Sequence, residues 1–364
     1  MKFVSLSYQY SGDIDNPEDW FRRVRIYTGS WKQISREHEV IRVEQINFEG
    51  KISHEGIQYH FVNYGKKKLY FPWRLHRFIA SLDPDIVMVN GLHFPLQLIL
   101  LRLQLPGKIK IIAQNHAEKP FGGLKKYWQR WADQCINAYL FASRMTGESW
   151  VKNGNLSSEK KIHEVMEVSS VFRPMERSEA RSATKASGSP VYLWVGRLDA
   201  NKDPVTVIKA FVRFLEFHPS ARLYMIYHTK ELLSAVRGLI PEENKHQIIQ
   251  VGRMAHCEMQ YWYNSADFIV SGSHYEGSGT AVCEAMSCGC IPVLTNIDSF
   301  RVMTNQGACG LLYEKGNPED LLGCLVQTIY IDRSVYRKRT LAQFQSALSF
   351  EAIAKKIQTI ASSL

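Results

Sequence analysis

Two carboxylates, Glu276 and Glu284, bracket a run of small residues, Gly277-Ser278-Gly279-Thr280. The glycines allow a sharp turn and a close approach of backbone to ligand. The run leads into a helix signal, Thr280 to Ser287, whose first turn would carry unpaired N–H groups and the positive end of the helix dipole. Such a start attracts phosphate, and carboxylates accept hydrogen bonds from sugar hydroxyls. The ligand that suits this order is a phosphate centre with a sugar on each flank, a nucleotide diphosphate sugar. The same residues also fit an ordinary βαβ connection with two surface acids. A second polar cluster, Gly196-Arg197-Leu198-Asp199-Ala200-Asn201-Lys202-Asp203, follows the apolar run 191–195. Arg197 as a fork and Lys202 as a point charge would hold a diphosphate between them.

The elements that must position these groups can be read from apolar patterning. Asp267 to Ser271 and Ile291 to Leu294 read as buried strands on either side of the Glu276–Glu284 unit, and Gly289 stops its helix. Upstream, residues 2–6, 39–43, 57–62, 85–90, 110–115 and 138–142 read as strands. Helices are expected near 18–30, with Asn16 as cap and Pro17 in its first position, and near 73–82, 96–105 and 123–137. Strands alternating with helices imply a parallel sheet covered on both faces. Residues 176–190 are small, polar and aperiodic, which is linker composition. A second α/β alternation opens at Val191. The expected architecture is an N-terminal domain over 1–175, with a C-terminal helix at about 348–364 packing back on it, and a C-terminal domain over 191–347. Both would be doubly wound and Rossmann-like, facing a central cleft, with ligands beyond the carboxyl ends of the strands.

Composition narrows the function classes. At 364 residues, 45% hydrophobic and 22% charged, the chain is globular and long enough for two domains. The net charge is +10, and residues 1–180 hold 26 Lys and Arg against 19 Asp and Glu, which suggests anionic partners. No RNA-binding aromatic motif or helix-turn-helix pattern accompanies that charge, so nucleic acid is not an expected partner. The seven cysteines include no paired C-x-x-C spacing and read as reduced thiols in a cytoplasmic protein. Met1 to Gln9 turns polar too soon for a signal peptide, and Ile86 to Leu105 is too interrupted by polar residues for a membrane span. Asp83-Pro84-Asp85 precedes a strand and reads as a turn; Asp13-Ile14-Asp15 lies in the first loop. Neither requires a metal, and none is expected. Lys66-Lys67-Lys68 reads as a solvated loop. Leu124, Tyr127, Trp128 and Trp131 share one face of a basic helix. A core-facing helix with a solvated basic side is the first reading of that segment; contact with an anionic membrane face is the second.

Gly196-Arg197-Leu198-(x3)-Lys202, Val251-Gly252-Arg253, Ser265 to Val270, and Glu276-Gly277-x-Gly279-(x4)-Glu284-Ala285-Met286-x-x-Gly289-x-Ile291-Pro292-Val293 resemble the retaining GT-B glycosyltransferases of family 4, the glycosyl transferases group 1. The resemblance is firm over about 190–330 and weaker before it, where Asp83 to Asn90, Ile111 to His116 and Phe172 to Pro174 look like family landmarks. It implies transfer of a hexose-type sugar, with retention and without metal, from a nucleotide diphosphate sugar to a hydroxyl. The acceptor would be a glycan, a lipid-linked saccharide or a polysaccharide precursor, met in the cytoplasm or at the inner membrane face. No resident cofactor is implied; the nucleotide sugar is a co-substrate. Glu276 would bind the donor sugar, Gly277, Ser278, Gly279 and Thr280 would offer N–H groups, and Glu284 would hold the ribose. Arg197 and Lys202 would neutralise the leaving diphosphate beside Gly196. Gly252, Arg253 and Met254 would lie near the base. His116, at a strand end, would approach the reacting sugar. The loop after the first strand has one glycine where the family has several, and Tyr227 stands where a small residue is usual. A nucleotide-sugar epimerase of the same fold and an inactive nucleotide-sugar-binding partner subunit remain open alternatives.

Overall fold

The structure, a computed structural model of the chain, describes residues 1–65 and 70–364. The Lys66 to Lys68 run lies outside the described residues. The chain divides into two compact units, Met1–Glu167 with Phe350–Leu364, and Val168–Ser349.

The first unit is built on β1 (Lys2–Ser11), β2 (Glu39–Ile46), β3 (Gly50–His54), β4 (Ile57–Val62), β5 (Ile86–Asn90), β6 (Lys110–Gln114), β7 (Ala138–Phe141) and β8 (Ile162–Glu164), in the order β3-β4-β2-β1-β5-β6-β7-β8. Phe3, Val4 and Leu6 are buried on both faces, as the near-continuous apolar run of a central parallel strand requires. Val4 registers with Ile41 on one side and Val87 on the other. β3 pairs with β4 antiparallel, the one such pair among the described residues, and turns at Glu55 and Gly56, both at positive φ (52° and 81°). This is the backbone of a tight hairpin whose handedness matches the strand twist. The Pro17–Ile34 helix starts where Asn16 accepts the Asp19 N–H at 2.9 Å, with Pro17 in the first turn. The Phe350–Ser363 helix returns and packs against it. It buries Ile353 and Ile357, and its Glu351 takes a hydrogen bond from Gln33 at 3.0 Å.

The second unit is a parallel sheet of β9 (Val191–Val195), β10 (Arg222–Ile226), β11 (Ile248–Gly252), β12 (Phe268–Ser271), β13 (Ile291–Thr295) and β14 (Leu311–Tyr313), in the order β11-β10-β9-β12-β13-β14. Successive strands run outward from β9 in one direction and from β12 in the other. The order therefore reverses between these two neighbours, and such a switch point opens a crevice beyond the carboxyl ends of the strands.

Two sequence expectations change. The linker at 176–190 contains a helix, Arg177–Thr184. Composition loses here to a tertiary ion cluster: Arg177 and Arg181, one turn apart, reach the buried Asp267 at 2.5 and 3.4 Å. The Gly123–Ala132 helix, first read as core-facing through its aromatic side, buries Gln129 and Ala132 instead. Leu124 (80% exposed), Tyr127 (70%), Trp131 (63%) and Trp128 (42%) face outward.

Candidate functional site

The switch point of the second unit sets the loops after β9 and β12 side by side, since Val270 registers with Trp194. The two loops are pinned together. The His274 N–H donates to the Asn201 carbonyl at 2.8 Å, and Asn201 Nδ2 donates to the Tyr275 carbonyl at 3.0 Å. His274 Nε2 lies 3.0 Å from Asp203 Oδ2. Gly272 makes the approach feasible, because a Cβ there would stand 2.7 Å from the Asp203 carbonyl oxygen. The result is an ion pair between Lys202 Nζ and Glu276 Oε1, drawn from residues 74 apart. Arg197 belongs to the same cluster through Asp199. That carboxylate pairs with the guanidinium at 3.1 Å through one oxygen and takes the Lys202 N–H at 2.9 Å through the other. Gly196 closes β9, its N–H bonded to Ile226 O, with the Lys202 side chain beside it.

Glu276 leads through Gly277 and Ser278 to Gly279, which takes a left-handed φ of 55° and begins the Thr280–Ser287 helix. No side chain caps that helix start, so its first-turn donors point out of the helix beside the Lys202–Glu276 pair. One turn further, Glu284 points into the interior and is only 4% exposed. Its Oε1 lies 2.6 Å from His256 Nε2, and its Oε2 accepts the Tyr263 hydroxyl at 2.9 Å. Burial, and then the neighbouring Glu284 carboxylate, push the Tyr263 phenol upward, so it stays a donor. Gly252, at the end of β11 with φ 83°, leads through Arg253 and Met254 to His256, so the segment expected near the base meets the Glu284 helix through this histidine. The Phe172 ring packs 5.0 Å from the His256 ring, centre to centre. Tyr227 packs against the unit's core and donates to Gln250 Oε1 at 3.2 Å, which ties it to the β10–β11 edge.

His256 and Tyr263 escaped the sequence reading. They precede Glu284 by 28 and 21 residues, and only the fold brings them to it. All seven cysteines are free, and burial pushes the Cys288 thiol up to about 12.

His116 lies in the first unit, just past β6. Its Nδ1 pairs with Glu167, and its N–H donates to Glu118 Oε2 at 2.5 Å. Burial disfavours the charged ring, but Glu167 and Glu118 together outweigh it and raise the His116 pKa. Glu118 also takes the Leu92 N–H at 2.8 Å, tying the ends of β5 and β6. This carboxylate was not picked out from the sequence, although it stands two residues from His116. A cavity of about 800 Å³ opens here, lined by Gln9, Trp20, Asn90, Gln114, His116 and Glu167 among others. Arg42 and Glu44 also line it and bind each other, Nε to Oε1 at 2.8 Å. The Asp pairs are spent locally: Asp85 takes the Lys2 N–H at 2.7 Å, and Asp13 pairs with Arg23 at 2.9 Å.

Residues 175–329 match the sequence model of the family described as glycosyl transferases group 1. The matched residues lie within the second unit, Val168–Ser349. The loops after β9 and β12 and the Thr280–Ser287 helix all lie inside that glycosyl transferases group 1 match. Curated relatives agree. A D-inositol 3-phosphate glycosyltransferase of Streptosporangium roseum is 25% identical over 171 residues, which is 41% of this chain and 37% of the relative's length. A GDP-mannose:cellobiosyl-diphosphopolyprenol alpha-mannosyltransferase of Xanthomonas oryzae pv. oryzae is 22% identical over 289 residues, 77% of this chain and 75% of the relative. Among solved structures, Anabaena Alr3699/HepE in complex with UDP superposes with a TM-score of 0.74 at 12% identity, over 100% of both chains. Sucrose-phosphate synthase from Thermosynechococcus elongatus gives 0.71 at 16%, over 100% of this chain and 98% of the other. The fold is that of the GT-B glycosyltransferases.

Proposed function

We propose that this protein transfers a hexose-type sugar from a nucleotide diphosphate sugar to a hydroxyl, with retention and without a metal. The acceptor is a glycan or a lipid-linked saccharide reached at the cytoplasmic face of a membrane. One observation carries the reading: Lys202 and Glu276, a cation and a carboxylate, meet beside the uncapped start of the Thr280–Ser287 helix, within the residues that match glycosyl transferases group 1. In this reading the diphosphate sits on the N–H groups of Ser278 to Thr280, with Lys202 and Arg197 beside it. As the glycosidic bond breaks, negative charge grows on the leaving phosphate oxygen. Fixed cations and the helix start stabilise that charge more than they stabilise the intact donor. Glu276, once Lys202 turns to phosphate, accepts from the sugar hydroxyls. Glu284 accepts from the ribose, with Tyr263 holding its second oxygen. Gly252 to Met254 lie along the base.

The neighbours support a nucleotide-sugar donor, since Alr3699/HepE has been solved with UDP and with UDP-glucose. The name of the Xanthomonas relative couples GDP-mannose to a diphosphopolyprenol acceptor, which supports the lipid-linked choice. On the acceptor side, His116 and its carboxylate pair line a cavity with Trp20, Gln9, Asn90 and Gln114. Aromatic faces and amides suit a sugar ring.

The test is a thermal-shift screen with UDP, GDP, ADP, CMP and their sugar conjugates in excess chelator. A ligand that binds only the folded chain raises the melting temperature. One base should do so, and its conjugate should release nucleotide diphosphate only when an acceptor is present. Turnover without acceptor to an epimerised nucleotide sugar, or silence at saturating ligand, would sink the proposal.

A further inference from the structure

Three helices lie on one face of the first unit's sheet. They precede or join β5, β6 and β7, and all step along the sheet in the same direction, so right-handed crossovers put them on the same side. They are Trp73–Ser81, Pro95–Gln104 and Gly123–Ala132, and each packs on the next. Together they carry Arg74, Arg77, Arg102, Lys125, Lys126 and Arg130 and no Asp or Glu. Arg102 is spent on the carbonyls of Leu105, Pro106 and Ile109. The exposed large apolar side chains of these helices are Trp73, at 48%, Leu103, at 72%, and the Leu124, Tyr127, Trp128 and Trp131 stripe. Trp128 and Lys125 wall a shallow cavity of about 380 Å³ with Leu96. A helix of this kind, aromatic on one side and flanked by cations alone, is what lies in the plane of a bilayer surface, where indole and phenol rings sit at headgroup level.

We infer that this face, centred on Trp128, Trp131, Lys125 and Lys126, docks the chain onto an anionic phospholipid surface. Charge selects the occupant. In a two-fold dimer through this face the patch would meet itself, cations against cations. An anionic lipid surface complements every charge on it. No helix among the described residues is long and apolar enough to cross a membrane, so the contact is peripheral. The biological sense of the docking rests on the proposed lipid-linked acceptor, but the docking itself needs no substrate.

The experiment floats the full chain with vesicles of phosphatidylcholine alone, or of phosphatidylcholine and phosphatidylglycerol in equal parts, with no nucleotide sugar present. The chain should float with the anionic vesicles and stay behind with the neutral ones, and added salt should release it. Trp128→Ser with Trp131→Ser should weaken binding roughly tenfold. Lys125→Glu with Lys126→Glu should do the same and flatten the salt dependence. Trp128, Trp131 and Lys125 are exposed and Lys126 is half-buried, so melting temperatures should hold closely. Equal flotation with neutral vesicles, no flotation, or unchanged binding in both variants overturns the inference. So does a concentration-dependent dimer of the wild type that the tryptophan variant abolishes. A chain that floats but transfers nothing loses the proposed function and keeps this one; a chain that transfers but does not float does the reverse.

Discussion

Glu284 Oε1 lies 2.6 Å from His256 Nε2, in a side chain whose other oxygen already holds the Tyr263 hydroxyl. The buried carboxylate is thus oriented before any ligand arrives, and the half-exposed histidine covers the oxygen that a ribose would use. Glu284→Gln keeps an acceptor for Tyr263 but removes the charge. A hydrogen bond to a charged group contributes roughly 1.5–3 kcal/mol. Nucleotide affinity should therefore fall about ten- to a hundredfold, as read by calorimetry with the base that the thermal screen selects. In the proposed site a ribose would take the place of His256 at Glu284 Oε1, so His256→Ala should leave affinity within a factor of a few. Unchanged binding in Glu284→Gln would remove Glu284 from the donor site.

Asp199 holds the Arg197 guanidinium at 3.1 Å and the Lys202 main-chain N–H at 2.9 Å, and in the proposed site both cations serve the leaving diphosphate. Arg197→Ala with Lys202→Met should lower kcat by roughly a hundredfold or more, in line with the loss of a fixed transition-state partner. KM for the donor should move less. Initial rates at saturating donor decide this, and a kcat within a factor of a few of wild type would refute the assignment.

Gly272 carries the close approach of the β9 and β12 loops. Gly272→Ala forces a methyl to within 2.7 Å of the Asp203 carbonyl. The loops must part, at about 1–3 kcal/mol for a change that overpacks. Urea unfolding should report that loss, and donor binding should weaken with it because Lys202 and Glu276 are carried on those two loops.

His76 is buried in the first unit, with its Nε2 2.7 Å from the Tyr8 hydroxyl. Burial lowers its pKa to about 4. The unfolded chain takes up the proton near pH 6.5 instead. The contribution of this neutral ring to stability is therefore full above about pH 6.5 and is lost as pH falls towards 4, by roughly 3 kcal/mol in all. His116, raised by its carboxylates, works in the opposite sense and gains on the acid side. Comparing wild type with His76→Gln by urea unfolding between pH 7 and pH 4 isolates the first effect. Parallel curves would show that His76 titrates normally.

Asp267, with its side chain 1% exposed, gathers Arg177, Arg181 and Arg333 and takes the Val191 N–H at 2.8 Å. Removing the one buried anion leaves three cations around an apolar hole. Asp267→Ala should cost about 3–5 kcal/mol, seen as a drop in the urea midpoint of the second unit. A change below about 1 kcal/mol would mean that water screens the cluster.

Local signals were readable wherever one element carried them. Asn16 with Pro17 marked a helix start, Gly289 a helix end, and Glu276 to Glu284 a loop and helix of defined chemistry. What stayed hidden depended on contacts distant in sequence. Residues 177–184 have the composition of a linker, and only Asp267, more than eighty positions on, makes them a helix. Periodicity placed Leu124, Tyr127, Trp128 and Trp131 on one face but could not say which side of the helix met the sheet. The buried side turned out to be Gln129 and Ala132. His256 and Tyr263 are ordinary residues until the fold sets them against Glu284.

The Phe350–Ser363 helix completes the face of a unit whose other parts end at Glu167. On the ribosome, the Pro17–Ile34 helix therefore waits for its partner while all of Val168–Ser349 is made. At roughly 5–20 residues per second this wait is on the order of ten seconds. The unit translated later can close first, and the earlier one spends that interval with its Ile353 and Ile357 contacts unmade, a natural window for a chaperone.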